Sequence, residues 1–227
     1  MSTRASFFSS SVGTKILIAL TGLSLFLFLV AHLIGNTLIF VGPAAFNGYS
    51  HKLISNPLIY VAEIGLLALL GLHVFKAVTN WFANRHARPH GYELKRNAGH
   101  TSRKSVASTT MIVTGLVTLT FVVLHLVTFK YGPGEAQGYL APSDHGPIRD
   151  LHRLTIEVFQ NPVYVIGYVI CMVLIFLHLR HGLSSALQSL GVNHPRYNAA
   201  IVRTGIALAI LIGGGFAAIP VAVYFAF

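Results

Sequence analysis

Four histidines, His32, His73, His125 and His178, each stand inside a long apolar run. Two of them end copies of one phrase. "TGLSLFLFLVAHL" covers residues 21–33 and "TGLVTLTFVVLHL" covers residues 114–126, each with eight residues between Thr-Gly-Leu and His-Leu. The other two follow a second repeated phrase. "NPLIYV" opens at Asn56 and "NPVYVI" at Asn161, and each Asn precedes its histidine by 17 positions. Imidazole nitrogen is a common metal ligand and a proton carrier, so the chemistry on offer is metal binding or proton relay.

The elements that carry these histidines are membrane spans. The chain has 227 residues, 54% of them hydrophobic and only 10% charged, with a mean hydropathy of +0.67. Soluble domains carry about 25% charged residues. A helix needs about 20 residues to cross an apolar core of about 30 Å. Five stretches are long enough: 15–40, 57–84, 104–129, 161–190 and 199–226. The expected fold is all-α, one integral membrane domain over residues 1–227, a bundle of five transmembrane helices. The first stretch is too long for a removable signal peptide and lacks a small-residue cleavage site. In "NPLIYV" and "NPVYVI" the Asn suits an N-cap and the Pro the first helical position. Spans one and two echo spans three and four as a parallel repeat, and span five stands alone without a histidine.

A net charge of +10 in a soluble protein would suggest nucleic acid. Here twelve of the 16 Lys and Arg fall on one side when the spans alternate from a cytoplasmic N-terminus, leaving Lys52, Lys130, Arg149 and Arg153 on the other. That is the positive-inside asymmetry. It predicts N-terminus inside, C-terminus outside, and no nucleic-acid partner. The one cysteine, Cys171, cannot hold an iron–sulfur cluster or form an internal disulfide, and no CxxCH for covalent haem occurs.

Helix rise sets the depth of each histidine. At about 1.5 Å per residue, His32 lies about 25 Å beyond Lys15 and His125 about 31 Å beyond Lys104, both towards the outer face. His73 and His178 each lie about 24 Å in from Pro57 and Pro162, near the inner face. The pairs are therefore His32 with His125 and His73 with His178. One intramembrane histidine can serve simply as a hydrogen bond between helices, but ionisable side chains in spans are costly and as a rule functional. One per span, matched pairwise in depth, suits bis-histidine ligation of two haems, each iron taking an imidazole on both faces from facing helices.

The second imidazole nitrogen is expected to bond the carbonyl one turn back, at Phe28, Leu69, Phe121 or Leu174. Thr21 precedes His32, and Thr114 precedes His125, by 11 positions, close to three turns. Each threonine is thus expected to face the level of the other haem. Gly22, Gly115, Gly65 and Gly167 would admit a flat macrocycle or a neighbouring helix. Lys15, Arg103 and Lys104 are candidates for the inner propionates. In "HLRHG", His181 competes with His178, and both the 17-position echo and the depth favour His178. Of His51, His86, His90, His100, His145, His152 and His194, all in connections, most are expected to be solvated.

With these residues in place, the chain resembles the dihaem cytochrome b membrane subunit of succinate dehydrogenase and fumarate reductase (respiratory complex II), in its single-subunit, five-helix bacterial type. The matching segments are "TGLSLFLFLVAHLIGN", "AFNGYSHKLISNPLIYVAEIG", "GLHVFKA", "TGLVTLTFVVLHLVTF" and "FLHLRHGLSSALQSLG", in the expected order over nearly the whole chain. The resemblance implies that His32, His73, His125 and His178 are axial ligands of two haem b groups, and that a membrane quinone, usually menaquinone, is the electron partner. It implies a flavoprotein subunit that oxidises succinate or reduces fumarate, and an iron–sulfur subunit, both on the cytoplasmic side of a bacterial inner membrane. The dicarboxylate site would lie in those partners. Electrons would enter at the His73/His178 level and reach quinone near the His32/His125 level, or run in reverse.

The connection "AFNGYSHKL" offers Phe46, Asn47 and His51 as an aromatic wall and polar contacts for a quinone headgroup. Residues 85–104 would form much of the docking surface. Two positions depart from the family. Some fumarate reductases carry a glutamate where this chain has Phe176, and some members carry an acid near the outer quinone site where it has Ile54. Glu63 stands nearby and could pair with a polar neighbour. The competing expectations are a cytochrome b subunit of a hydrogenase or formate dehydrogenase, and a transporter. Transporters usually show broken spans and midplane charge, and Glu63 is the one clear charge expected away from the span ends.

Overall fold

The computed structural model describes residues 10–87, 106–144 and 146–227. In chain order the elements are α1 (Ser11–Thr37), continued by a 3-10 turn to Phe40; α2 (Pro43–Ile54); α3 (Leu58–His86); α4 (Val106–Thr109); and α5 (Met111–His125), continued by a π turn to Lys130. After these come β1 (Leu140–Ala141) and β2 (Ile148–Arg149), which form an antiparallel pair, then α6 (Leu151–Phe159), α7 (Pro162–Ser189) and α8 (Pro195–Ala226). Five of the helices are long and apolar enough to cross a membrane: α1, α3, α5, α7 and α8, counting the turns that extend α1 and α5. The chain is an all-α, multi-pass membrane protein.

Four of the five expected spans match to within four residues at either end. The third differs most, because α4 and α5 break at Thr110 (φ −101°, ψ 5°) instead of running as one helix. Asn161 caps α7, its Oδ1 accepting from Val163 N at 2.9 Å, with Pro162 as the first helical residue. Asn56 does the same one phrase earlier, its Oδ1 accepting from Leu58 N at 2.9 Å.

α1 packs between α3 and α7, and α5 lies against α7 and, more thinly, against α3. These four helices form a ring whose diagonals, α1/α5 and α3/α7, hardly touch. α8 lies outside the ring against α7 and α1. Its approach to α7 depends on glycine: a Cβ at Gly213 would fall 2.9 Å from Phe176 Cβ, the small-residue contact that membrane helices favour. α3 has no buried residue along its described length. Its exposed Val61, Ile64, Leu72, Phe75 and Phe82 suit lipid as the solvent.

A polar clamp closes the end of the bundle that carries α2 and α6, named the outer end after the expected orientation, the opposite end being the inner one. α2 and α6 meet through Asn47, which is 1% exposed. Its Nδ2 donates to Asp150 Oδ1 and its Oδ1 accepts from His152 N, both at 2.8 Å. Phe46 joins Ile39, Phe159, Ile219 and Val223 in the apolar cluster beneath. His152 is buried rather than solvated, with Nε2 3.3 Å from Ile39 O. Next to it, the Arg149 guanidinium makes five hydrogen bonds, at 2.8–3.2 Å, to the carbonyls of Phe129, Lys130, Gly132 and Pro133. It thereby supplies donors to carbonyls that a helix end leaves without partners. Lys130 pairs with Glu63 across the thin α3/α5 seam.

Replacing Arg149 with Met should lower stability by about 2 kcal/mol, the scale of losing hydrogen bonds to a charged group. Equilibrium unfolding of the full chain in detergent measures it.

Candidate functional site

The ring brings the four intramembrane histidines into two diagonal pairs. At the outer level, His32 on α1 and His125 at the end of α5 have ring centroids 5.7 Å apart and planes at 89°. At the inner level, His73 on α3 stands beside Thr21 of α1 and His178 on α7 beside Thr114 of α5. Thr21 touches His73 and lies 11 residues before His32, so the two levels are about 16 Å apart along α1.

Hydrogen bonding sets the state of the inner pair. Thr21 has a single hydroxyl proton, which it donates to Leu17 O at 2.7 Å. Its Oγ1 therefore accepts from His73 Nδ1, 3.0 Å away. Thr114 repeats the arrangement: its hydroxyl reaches Thr110 O and Met111 O at 3.2 Å, and His178 Nδ1 stands 3.2 Å from its Oγ1. With the proton on Nδ1, Nε2 of each ring keeps its lone pair for a ligand role. Gly22 and Gly115 make room for these contacts. A Cβ would lie 3.1 Å from His73 Cε1 in the first case and 3.2 Å from His178 Cε1 in the second. Gly65 and Gly167 face open space, with nothing within 4 Å of an added Cβ.

The outer pair sits among aromatic rings. Phe28 stacks on His32 at 5.2 Å and Phe121 on His125 at 5.8 Å, each phenylalanine one turn before its histidine. Phe216 of α8 approaches His32 at 5.7 Å, and Phe129 approaches His125 at 5.3 Å. His125 Nδ1 is 3.3 Å from the Tyr168 hydroxyl of α7. For His73, His125 and His178, the structure thus provides a side-chain hydroxyl on a neighbouring helix where the sequence pointed to a carbonyl one turn back. That carbonyl already accepts a bond within its own helix.

The remaining expectations fall as follows. His181 lines a cavity between α7 and α8, away from the ring interior, while Thr114 engages His178. Phe46 and Asn47 are buried in the outer clamp, with both polar ends of the Asn47 amide engaged, and His51 is exposed on α2. Glu63 pairs with Lys130, and Phe176 packs on Gly213 of α8. Lys15 is exposed at the inner end. Arg103, Lys104, His90, His100, His145 and most of the expected docking segment lie outside the described residues.

One group of residues carried no sequence signal. A second cavity, about 440 Å³, lies between the π turn, α6 and α7, and Tyr139, Glu157 and Tyr164 are in its wall. The Tyr139 hydroxyl donates to Glu157 Oε2 at 2.5 Å, and Arg153 Nε donates to Glu157 Oε1 at 2.7 Å. These bonds, Tyr139 first, hold the Glu157 carboxyl below the usual carboxylate range, and the same bond to Glu157 pushes the Tyr139 hydroxyl up. Glu157 therefore stabilises the fold above the ordinary carboxylate pKa, and this contribution fades as pH falls through the lowered value.

Each level holds two imidazoles, and among the described residues no group of three or more His, Cys, Asp or Glu forms a metal cage. Two nitrogens suit a transition-metal ion whose other positions come from a planar macrocycle. Comparison with family models, curated proteins and solved structures found no match to the chain.

Thr21→Val should abolish the hydrogen bond to His73 and mix its tautomers, while Thr21→Ser keeps both unchanged. Nitrogen-15 NMR of labelled histidine reads this directly as the loss or retention of a protonated Nδ1 at His73.

Proposed function

We propose that the chain is a dihaem cytochrome b that anchors a succinate:quinone oxidoreductase in a bacterial inner membrane, with its N-terminus in the cytoplasm. One observation carries the reading: His32 and His125 meet across one diagonal of an open ring, and His73 and His178 stand on its other two helices at a second level, each beside a threonine. His32 with His125, and His73 with His178, would hold one haem b each through Nε2. Bound haem would supply one-electron transfer along the bundle. The chain's own part is to fix the rings that grip it. Thr21 and Thr114 orient the inner imidazoles, Tyr168 contacts the outer His125, and Phe28, Phe121 and Phe216 keep water from the outer pair.

Quinone, menaquinone by the family resemblance, would be handled at the outer end. The cavity beside the π turn suits its headgroup better than the clamp that contains Phe46 and Asn47. Tyr164 supplies an aromatic wall there, one turn from Tyr168. Glu157, ionised beside Tyr139 and Arg153, would accept a proton from a quinol hydroxyl. The flavoprotein and iron–sulfur subunits would dock at the inner end and carry out the succinate or fumarate chemistry.

A reduced-minus-oxidised spectrum of the purified chain should show b-type bands with two midpoint potentials. Alanine at His32 or His125 should perturb one potential and alanine at His73 or His178 the other. Perturbation of one centre by both His32 and His73 would sink the pairing, and absence of a co-purifying flavoprotein would count against the named complex. Glu157→Gln should slow quinone turnover about a hundredfold, the scale of a lost general acid or base, with both spectra unchanged.

A further inference from the structure

A cavity of about 490 Å³ opens at the inner end of the bundle, and its wall comes from α4, α7 and α8. It is separate from the ring interior, since α1 and α3 contribute nothing to its lining. Arg180 and Ser184 of α7 face Asn198 and Arg203 of α8 across it, with Val202 and Ile206 as apolar surface. Among the described residues the two salt bridges are Lys130–Glu63 and Arg153–Glu157, neither of them here. Both guanidiniums are thus left to an anion from outside. Asn198 Oδ1 is buried and has no hydrogen-bond partner. A buried acceptor in that position calls for a donor from water or a ligand.

The location narrows the ligand. α7 ends at Ser189 and α8 begins at Pro195, so the cavity lies within a few turns of the aqueous edge, where lipid headgroups reside. Below it on α8, Ile210 stands one turn beyond Ile206 and is exposed to lipid. Cations and a hydroxyl at headgroup depth, above an apolar track, match a phosphodiester with acyl chains. Basic pockets between membrane helices bind acidic headgroups in this manner.

We propose that this cavity binds an anionic phospholipid, its phosphate between Arg180 and Arg203 and a headgroup hydroxyl donating to Asn198 Oδ1. The assignment does not depend on haem or on any partner subunit. Free phosphate shares the first contact and lacks the chains. An acidic protein segment shares the charge and lacks both.

Native mass spectrometry of the full-length chain, released from mixed phosphatidylglycerol and phosphatidylcholine micelles, tests it. Phosphatidylglycerol should be retained at least tenfold over phosphatidylcholine. The double variant Arg180→Gln/Arg203→Gln should lose that preference at least tenfold while keeping its helical circular dichroism. Arg203→Gln alone should lose part of it, and Arg85→Gln, at the same end but outside the cavity, none. Equal retention of the two lipids would overturn the proposal, as would an unchanged double variant. So would displacement of phosphatidylglycerol by equimolar inorganic phosphate or oligoglutamate.

Discussion

An imidazole N–H in hydrocarbon has no water to bond, so a membrane histidine must find its partner within the protein. At the inner level that partner is a threonine on the adjacent helix, and the rest of the ring follows from it. Thr21 and Thr114 sit three turns before His32 and His125 on one helix face. One face of α1 therefore positions the outer histidine and supports the inner one, and α5 does the same. The register of α3 against α1, and of α7 against α5, is fixed by these contacts. A slide of one turn, about 5.4 Å, would leave His73 or His178 with an unpaired donor in an apolar medium.

The repeat explains why two levels come together from one device. α1 with α3 and α5 with α7 are two copies of a helix pair, each contributing one outer and one inner histidine. Facing copies put like against like across the diagonals. α8 breaks the symmetry by lying on α7 and α1, so α7 buries Met172, Ile175, Leu183 and Ala186 while its counterpart α3 buries nothing. The fifth helix also gives the outer pair Phe216 on the His32 side only. The two copies of the repeat thus differ in what surrounds them, although each carries its histidines at the same positions.

Much of this was legible in sequence because it is periodic. Apolar length fixed the spans, helix rise fixed the depth of each histidine, and the repeated phrases named the pairs. The 11-residue spacing also aimed each threonine at the other level, and Thr21 and Thr114 do meet His73 and His178. What escaped is non-local and aperiodic. Nothing in "AFNGYSHKL" announces that Asn47 will reach Asp150 and the His152 amide more than a hundred positions away. His152 reads as a solvated loop residue until the clamp closes over it. Arg149 holds the end of α5 from a segment with no helical pattern, and Tyr139, just before the short β1/β2 pair, meets Glu157 18 positions on. The break at Thr110 was hidden because "SVASTTMIVTG" remains acceptable helix sequence throughout.

The outer clamp bears on how anything reaches the His32/His125 pair. Phe46, Ile39, Phe159, Ile219 and Val223 fill the space beneath α2 and α6, and Asn47 ties the two helices together above it. A molecule as apolar as a quinone would have to separate that packing to enter from the end of the bundle, leaving the Asn47 amide and the His152 N–H without partners, while Asp150 would keep only its bond from Arg153 N. A buried polar group left unpaired costs about 1–3 kcal/mol, and this entry would strand several at once. The recess between the π turn, α6 and α7 needs no such rearrangement, because it is already open beside the clamp. The π turn itself contributes, since the extra residue in its backbone ring widens α5 next to His125. The clamp therefore closes the end of the bundle, while the open recess lies at its side, walled by the π turn, α6 and α7.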